Sequence, residues 1–436
     1  MTPTPGTEAD PTPTAGSIRM TARSRIAYGI FGMPLAMAAL PLYVQLPEFY
    51  GAHLGVDLAV LGALLLALRL GDAVLDPLLG VWSDRARSRK RLLALAAPIL
   101  AIGMAALFLP VPRMQAPLLV WLGVSLALVY AAFSLATINH NAWGAELSRD
   151  PAERTRITAT REGLALFGVV LASVAPTLLG ARDDPASGLP IFAGLYAVFA
   201  LLCLAITLRA PAAPRPVAAA GNFRGGLAVP LADPLFRRLL AVFMANGIAT
   251  AIPATLVLFF IADVLGANAQ QGVFLALYFI AGAAGLPLWV RLSQRIGKVR
   301  AWAIAMVAAI VAFVWAWGLA AGDTTTYAVI CALSGLALGA DLALPPSLLA
   351  DLIGRDGTAR PAGAYFGLWT LATKLNLALA AGIGLPLLAF LGYAPGSRSP
   401  AALSALALVY AAVPCALKLG ALVALHRFHV LARSAS

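Results

Sequence analysis

The sequence predicts an all-α polytopic membrane protein, with twelve transmembrane helices in two six-helix pseudo-repeat bundles. Three observations predict it. The 436 residues are 61% hydrophobic and 11% charged, with a mean hydropathy of +0.86, whereas soluble domains run at roughly 45–50% apolar and 25% charged. Twelve apolar segments, bounded by Pro, Gly or charge, are each long enough for a bilayer core, which takes about 20 residues per helix. Assigning their loops alternately to two sides puts 25 Lys/Arg on one side and only Arg113, Arg182 and Arg398 on the other. That bias orients both termini into the cytoplasm. The net charge of +12 is therefore topology and no sign of nucleic-acid binding. The implied setting is the plasma (inner) membrane, with lipids as neighbours and the chain a monomer.

The elements follow in order. Residues 1–25 begin with a Pro/Thr-rich stretch lacking the basic-then-apolar order of a secretory signal, and read as a disordered cytoplasmic tail. Spans at 26–48, 57–82, 92–111, 117–143, 160–180 and 189–208 make an N-terminal bundle over 26–208. Residues 209–237, rich in Pro, Ala and Gly, are a cytoplasmic linker loop. Spans at 238–262, 271–292, 301–320, 326–352, 362–391 and 401–425 make a C-terminal bundle over 238–426, and 427–436 is a second cytoplasmic tail. A basic loop follows span two (GVWSDRARSRKR) and another follows span eight (WVRLSQRIGKVR), at the same place in each half. Two such halves around a midplane site are how many secondary transporters are built. Gly335-x-x-x-Gly339 and Gly282 with Gly285 read as close helix packing. Pro345-Pro346 is expected to break span ten.

Six ionisable groups lie at membrane depth, where each costs roughly 2.5–3.5 kcal/mol on insertion scales. Arg69, Asp72 and Asp76 stand at i, i+3 and i+7 in span two and share one helical stripe. Asp341 lies mid-span in ten, Lys374 in eleven and Lys418 in twelve. Paired carboxylates that trade a proton, a metal cation and an ammonium make a coupling device; a static, mutually neutralised network is the plainer alternative. Lys418, two turns from the inner end, is expected to snorkel to the headgroups.

Gly80-Val-Trp-Ser-Asp84-Arg85 matches the Gly-x-x-x-Asp-Arg signature of major-facilitator transporters, with Asp84 as a latch at a helix end and Arg87 to Arg91 as ordinary positive-inside anchoring. Further stretches resemble the glycoside-pentoside-hexuronide:cation symporter family, of which melibiose permease is the familiar member. They are Arg69-Leu-Gly-Asp72-Ala-Val-Leu-Asp76-Pro77, then Trp143-Gly-Ala-Glu146 through Glu153-Arg154-Thr155-Arg156 to Arg161, then Gly363-Ala-Tyr365-Phe-Gly-Leu-Trp369 with Lys374. The resemblance implies a major facilitator fold in which Asp72 and Asp76 bind the coupling cation and Lys374 approaches them from the other half. It also implies that Trp143 and Arg161 help bind a sugar. Arg69, Asn139, Asp341 and Trp369 complete the candidate substrate set, and Gly80, Asp84, Arg85, Glu153, Arg154 and Arg156 the gating set.

The pattern is incomplete in two places. Met33-Pro34 stands where the melibiose carrier has a Lys-Asp pair, and Asn139 where it has a sugar-holding aspartate, which costs two charge-assisted hydrogen bonds. Leu75 and Ala136 occupy two further cation-site positions, so the remaining pocket suits H+ better than Na+. The function expected is symport of a sugar or glycoside-like solute with a cation. A same-fold carrier of an amphiphilic, lysolipid-like substrate, an exporter, and a membrane protein without transport are the alternatives. An enzyme is excluded by the lack of a nucleophile with its base at membrane depth, and no cofactor or metal is called for. Cys203, Cys331 and Cys415 lie in apolar runs and read as inert thiols. Tyr365 and Trp369 also fit as interfacial anchors.

Overall fold

The computed structural model describes residues 20–111, 114–179, 185–212, 223–355 and 360–434. The tail over 1–19, the middle of the linker loop, and Arg113 and Arg182 lie outside the described residues. Among the described residues every regular element is helical. The order is α1 (Ala22–Gly29), α2 (Gly32–Leu40), α3 (Leu46–Glu48), α4 (Leu58–Asp84), α5 (Arg89–Phe108), α6 (Gln115–Glu146), α7 (Pro151–Leu178) and α8 (Pro185–Thr207). Then follow α9 (Phe223–Ala232), α10 (Pro234–Phe259), α11 (Gln271–Ile296), α12 (Lys298–Phe313), α13 (Thr324–Ile353), α14 (Ala362–Phe390), α15 (Pro400–Ala407) and α16 (Val413–Ser434).

Ten helical stretches among the described residues are long and apolar enough to cross a membrane. The 27-residue α4 carries Arg69, Asp72, Asp76 and Asp84 along its length. The chain ahead of it is one path of α1, α2 and α3 joined and extended by π-turns at Pro41–Gln45 and Phe49–His53, rather than one regular helix.

Local chemistry sets the boundaries. Asp233 caps α10 by accepting from the amides of Leu235 (2.9 Å) and Phe236 (3.3 Å), and Pro234 at the first position has no amide to satisfy. Gly297 turns the chain between α11 and α12 at φ +87°, a conformation that a side chain disfavours. Three expectations are corrected. The helix α7 begins at Pro151, so Glu153, Arg154 and Arg156 are helical instead of loop residues. The linker carries α9, and α10 begins at 234 rather than 238. Pro345 and Pro346 do not break α13, which runs unbroken over 324–353. Dense packing holds it there, since Ala343 and Leu344 are fully buried, and neighbouring groups can meet the carbonyls that proline frees.

The three larger apolar cores separate along the chain, while a small fourth one joins Ala159 and Leu166 of α7 to Leu286 and Ala343 of the C-terminal half. One is built wholly from residues 20–210, one wholly from 252–411, and a third from 235–428 with only Ile138, Ala142 and Ala145 added from α6. Small residues allow the closest crossing. On α13, a Cβ at Gly335 would run into the Tyr278 carbonyl of α11, and one at Gly339 would meet the Gly282 carbonyl. Trp289 ties the same pair by donating to the Leu336 carbonyl at 2.7 Å.

Candidate functional site

The two halves meet along α4 and α14, which run antiparallel. At the end bearing the basic loops, Asp84 accepts hydrogen bonds from the amides of Gly363 (2.7 Å) and Ala364 (2.8 Å), the open donors of the first turn of α14. One turn further along, backbone lies on backbone: a Cβ at Gly80 would overlap the Gly363 carbonyl, and one at Gly367 would lie 2.7 Å from the Asp76 carbonyl. A further two turns along α14, Lys374 reaches back into the N-terminal half. Its Nζ sits 2.6 Å from Asp72 Oδ2, and 2.9 and 2.8 Å from the two oxygens of Asp76. Ser134 of α6 closes the group, accepting from Lys374 and donating to Asp72 Oδ1, each at 2.9 Å. Asp76 is wholly buried and Asp72 nearly so. Two carboxylates face one ammonium, so the centre lacks one positive charge, and a single monovalent cation or proton would neutralise it.

Ser134 carries no motif, and it is the packing of α6 against α4 and α14 that brings it to this centre. Arg69 lines a separate cavity of about 300 Å³ with Leu42, Pro47 and Tyr130. The other substrate candidates are not gathered at one surface. Asn139 is fully buried, its amide donating to the Leu135 carbonyl at 2.8 Å and its oxygen accepting from Arg89 at 3.3 Å. Trp143 is 1% exposed and packs edge-on against Tyr28. Arg161 is held by Asn141 and Glu162. Trp369 stacks on Phe243 at 3.9 Å, and Tyr365 is buried with its hydroxyl on Asp233, so neither is an interfacial anchor. Asp341 belongs to a separate group in the C-terminal half, where Lys418 binds it at 2.9 Å and Asn246 at 2.8 Å. The snorkelling expected of Lys418 is thereby corrected: the side chain turns inward because a carboxylate and an amide are there to receive it.

Around the basic-loop end, Arg89 is 3% exposed and binds Asp84 (2.7 Å), Glu146 (2.8 Å) and Ser83 (3.0 Å). It is therefore part of the buried cluster around Asp84 and not an anchoring charge, while Arg85 stands exposed at the end of α4. Glu153 is buried between Arg25 (2.9 Å) and Arg156 (3.1 Å). Arg154 crosses to Asp351 of α13 at 3.4 Å, where Lys298 also lies at 2.5 Å, and Thr155 meets Ser347 at 3.0 Å. Arg156 reaches Gln294 of α11 at 3.3 Å. Both seams between the halves are thus closed at this end.

Comparison with known proteins fits this architecture. An uncharacterized symporter of Synechocystis sp. is 23% identical over 92% of each chain. In fold, the chain is similar to a bacterial homologue of the iron transporter ferroportin in its outward-facing state (TM-score 0.71, 16% identity, covering 94% of this chain and 100% of that one). It is similar also to the Escherichia coli fucose:proton symporter (TM-score 0.67, 14% identity, 92% and 98% covered) and to a human organic anion transporter (TM-score 0.64, 22% identity, 93% and 100% covered). The family model described as MFS/sugar transport protein matches residues 25–431. The chain is a multi-pass membrane protein of the major facilitator fold and belongs to the MFS/sugar transport protein family.

Proposed function

We propose that the protein is a symporter that moves a sugar or glycoside-like solute with H+, by rocking two six-helix halves, twelve spans in all, about a midplane site. The observation that carries this reading is the net charge of the Asp72–Asp76–Lys374 group, which spans the seam between the halves and lacks one positive charge. An uncompensated carboxylate resists passage through a closed, dry state by several kcal/mol. A bound proton removes that resistance, so rocking waits for the cation. H+ is preferred over Na+ because a hard metal ion wants several oxygen ligands, and here Lys374 already occupies both carboxylates. The end carrying the basic loops is taken as cytoplasmic, which makes the form described here closed to the cytoplasm. The family description and the sugar symporter among its structural neighbours support a sugar-like solute.

The test is uptake by proteoliposomes of a mixed pool of glycosides, pentosides and hexuronides under an imposed pH gradient or an imposed sodium gradient, with Asp76→Asn beside the native protein. Uptake driven by the pH gradient and lost in Asp76→Asn is expected. Uptake under the sodium gradient alone reverses the ion assignment, and no uptake from folded protein overturns the solute assignment.

A further inference from the structure

The linker helix α9 lies across the seam between the halves at the basic-loop end. Its inner face is seated on α4, since a Cβ at Gly226 would stand 2.7 Å from a methyl of Val81, and Pro230, one turn further on, is buried. The same helix packs against α14. At its foot Asp233 accepts from the Arg360 guanidinium at 2.6 Å and from the Tyr365 hydroxyl at 3.3 Å, which fastens it to the C-terminal half. One short helix therefore touches both halves beside the Asp84 contact, and its hold on Val81 has to break when α4 and α14 part there.

The outer face of α9 is apolar as well. Ala228, Val229, Leu231 and Ala232 are all exposed, Val229 at 46% and Leu231 at 47%. A helix apolar on both faces is stable only when its second face is covered too. Trp82, beside Val81 at the end of a membrane span, is 46% exposed, which sets this level at the headgroup boundary where indoles collect. The exposed charge here has one sign. Arg85, one turn past Val81 on α4, and Arg237 and Arg238, in the first turns of α10, are exposed, and the single acid between 223 and 240, Asp233, is taken by Arg360. A second copy of the chain would bring the same guanidiniums against them. A leaflet with anionic headgroups meets both needs, with acyl chain for the apolar strip and phosphate for the arginines.

We infer that the outer face of α9 is a docking surface for anionic lipid, and that lipid held there strengthens the closed seam. The exposed arginines come from both halves, Arg85 from the N-terminal one and Arg237 and Arg238 from the C-terminal one. Opening at this end draws Arg85 away from the other two and lifts α9 from Val81, so headgroups meet the full set of charges only in the closed form. That difference in binding is what shifts the population. The inference goes beyond the transport reading above and does not depend on its solute or its coupling ion, because neither Asp72, Asp76 nor Lys374 takes part.

Two readouts on the full chain in phosphatidylcholine nanodiscs test it. In the first, Leu231→Cys carries a nitrobenzoxadiazole fluorophore, the native cysteines being buried. The nanodiscs contain an equal fraction of either phosphatidylglycerol or phosphatidylcholine with a nitroxide quencher on its acyl chain. Both lipids are expected to quench the fluorophore, phosphatidylglycerol at least about threefold more strongly, and Arg237→Gln/Arg238→Gln is expected to remove most of that preference. In the second, spin labels at Arg87 and Arg295, exposed on the two halves, report the ratio of closed to open forms at this end. That ratio is expected to be at least about threefold higher with phosphatidylglycerol present than with phosphatidylcholine alone, and to lose its dependence on lipid charge in Arg237→Gln/Arg238→Gln. Quenching by aqueous iodide and by neither nitroxide lipid overturns the inference. So does equal quenching by the two lipids, or a closed-to-open ratio in folded protein that is the same with and without anionic lipid.

Discussion

Replacing Asp84 by Asn isolates the contact that closes the seam between α4 and α14. The carboxylate accepts from two backbone amides of α14, at 2.7 and 2.8 Å, and faces the positive end of that helix. Asparagine keeps one neutral acceptor and loses the charge, which removes about 2–3 kcal/mol from the closed form. That is roughly a 30- to 150-fold shift toward forms open at the basic-loop end. The loss stays at the seam, because Arg89 retains Glu146 at 2.8 Å and is not left as an orphan cation. Spin labels at Arg87 and Arg295, exposed on the two halves at this end, report the shift as a longer distance population in double electron–electron resonance. The native cysteines are buried and do not compete for label. A distance distribution in Asp84→Asn equal to that of the native protein refutes the reasoning.

Gly363→Ala acts on the same seam by bulk, since its Cβ would press on the Gly80 carbonyl and Ser83 and lie 2.8 Å from Asp84 Oδ1; the same label pair should open without any change of charge. Lys374→Met leaves Asp72 and Asp76 facing each other, at a cost of about 3–5 kcal/mol for a broken buried pair. Its thermal stability, read by fluorescence-detected size exclusion, should fall, and adding Asp72→Asn should recover more than half of the loss; a double variant no more stable than the single one counts against the pairing. Ser134→Ala removes one donor and one acceptor from the centre, and the half-saturating concentration of the driving cation should rise about five- to tenfold with folding unchanged.

Much of this architecture is legible in the sequence, for physical reasons. A helix in lipid must be apolar along its length, so the spans and the order of their loops can be read directly. The charges that violate this rule on α4 and α14 stand out for the same reason. What the sequence hides is the direction in which a residue points. Arg89 sits in a run of five basic residues that all look alike, and only the pairing of α4, α5 and α6 buries it between Asp84 and Glu146. Lys418 near a helix end reads as a snorkelling lysine until Asp341 and Asn246 are seen beside it. Ser134 is one serine among many small residues of α6 and has no periodic or charged context to mark it. The start of α7 is masked because Glu153, Arg154 and Arg156 resemble a loop, although two of the three are buried by contacts with other helices.

The glycine-lined contact of α4 with α14 has a mechanical consequence. Eight residues separate Asp76 from Asp84, about 12 Å of helix. Across that length the two rods touch through main chain, with Gly80, Gly363 and Gly367 supplying no side chain to flex. A compliant joint would absorb a small displacement at one end before the other could register it. A stiff one delivers nearly all of it, so under the proton coupling proposed above a change of charge at the ionic centre would reach the amides that Asp84 holds with little slippage between loading and opening.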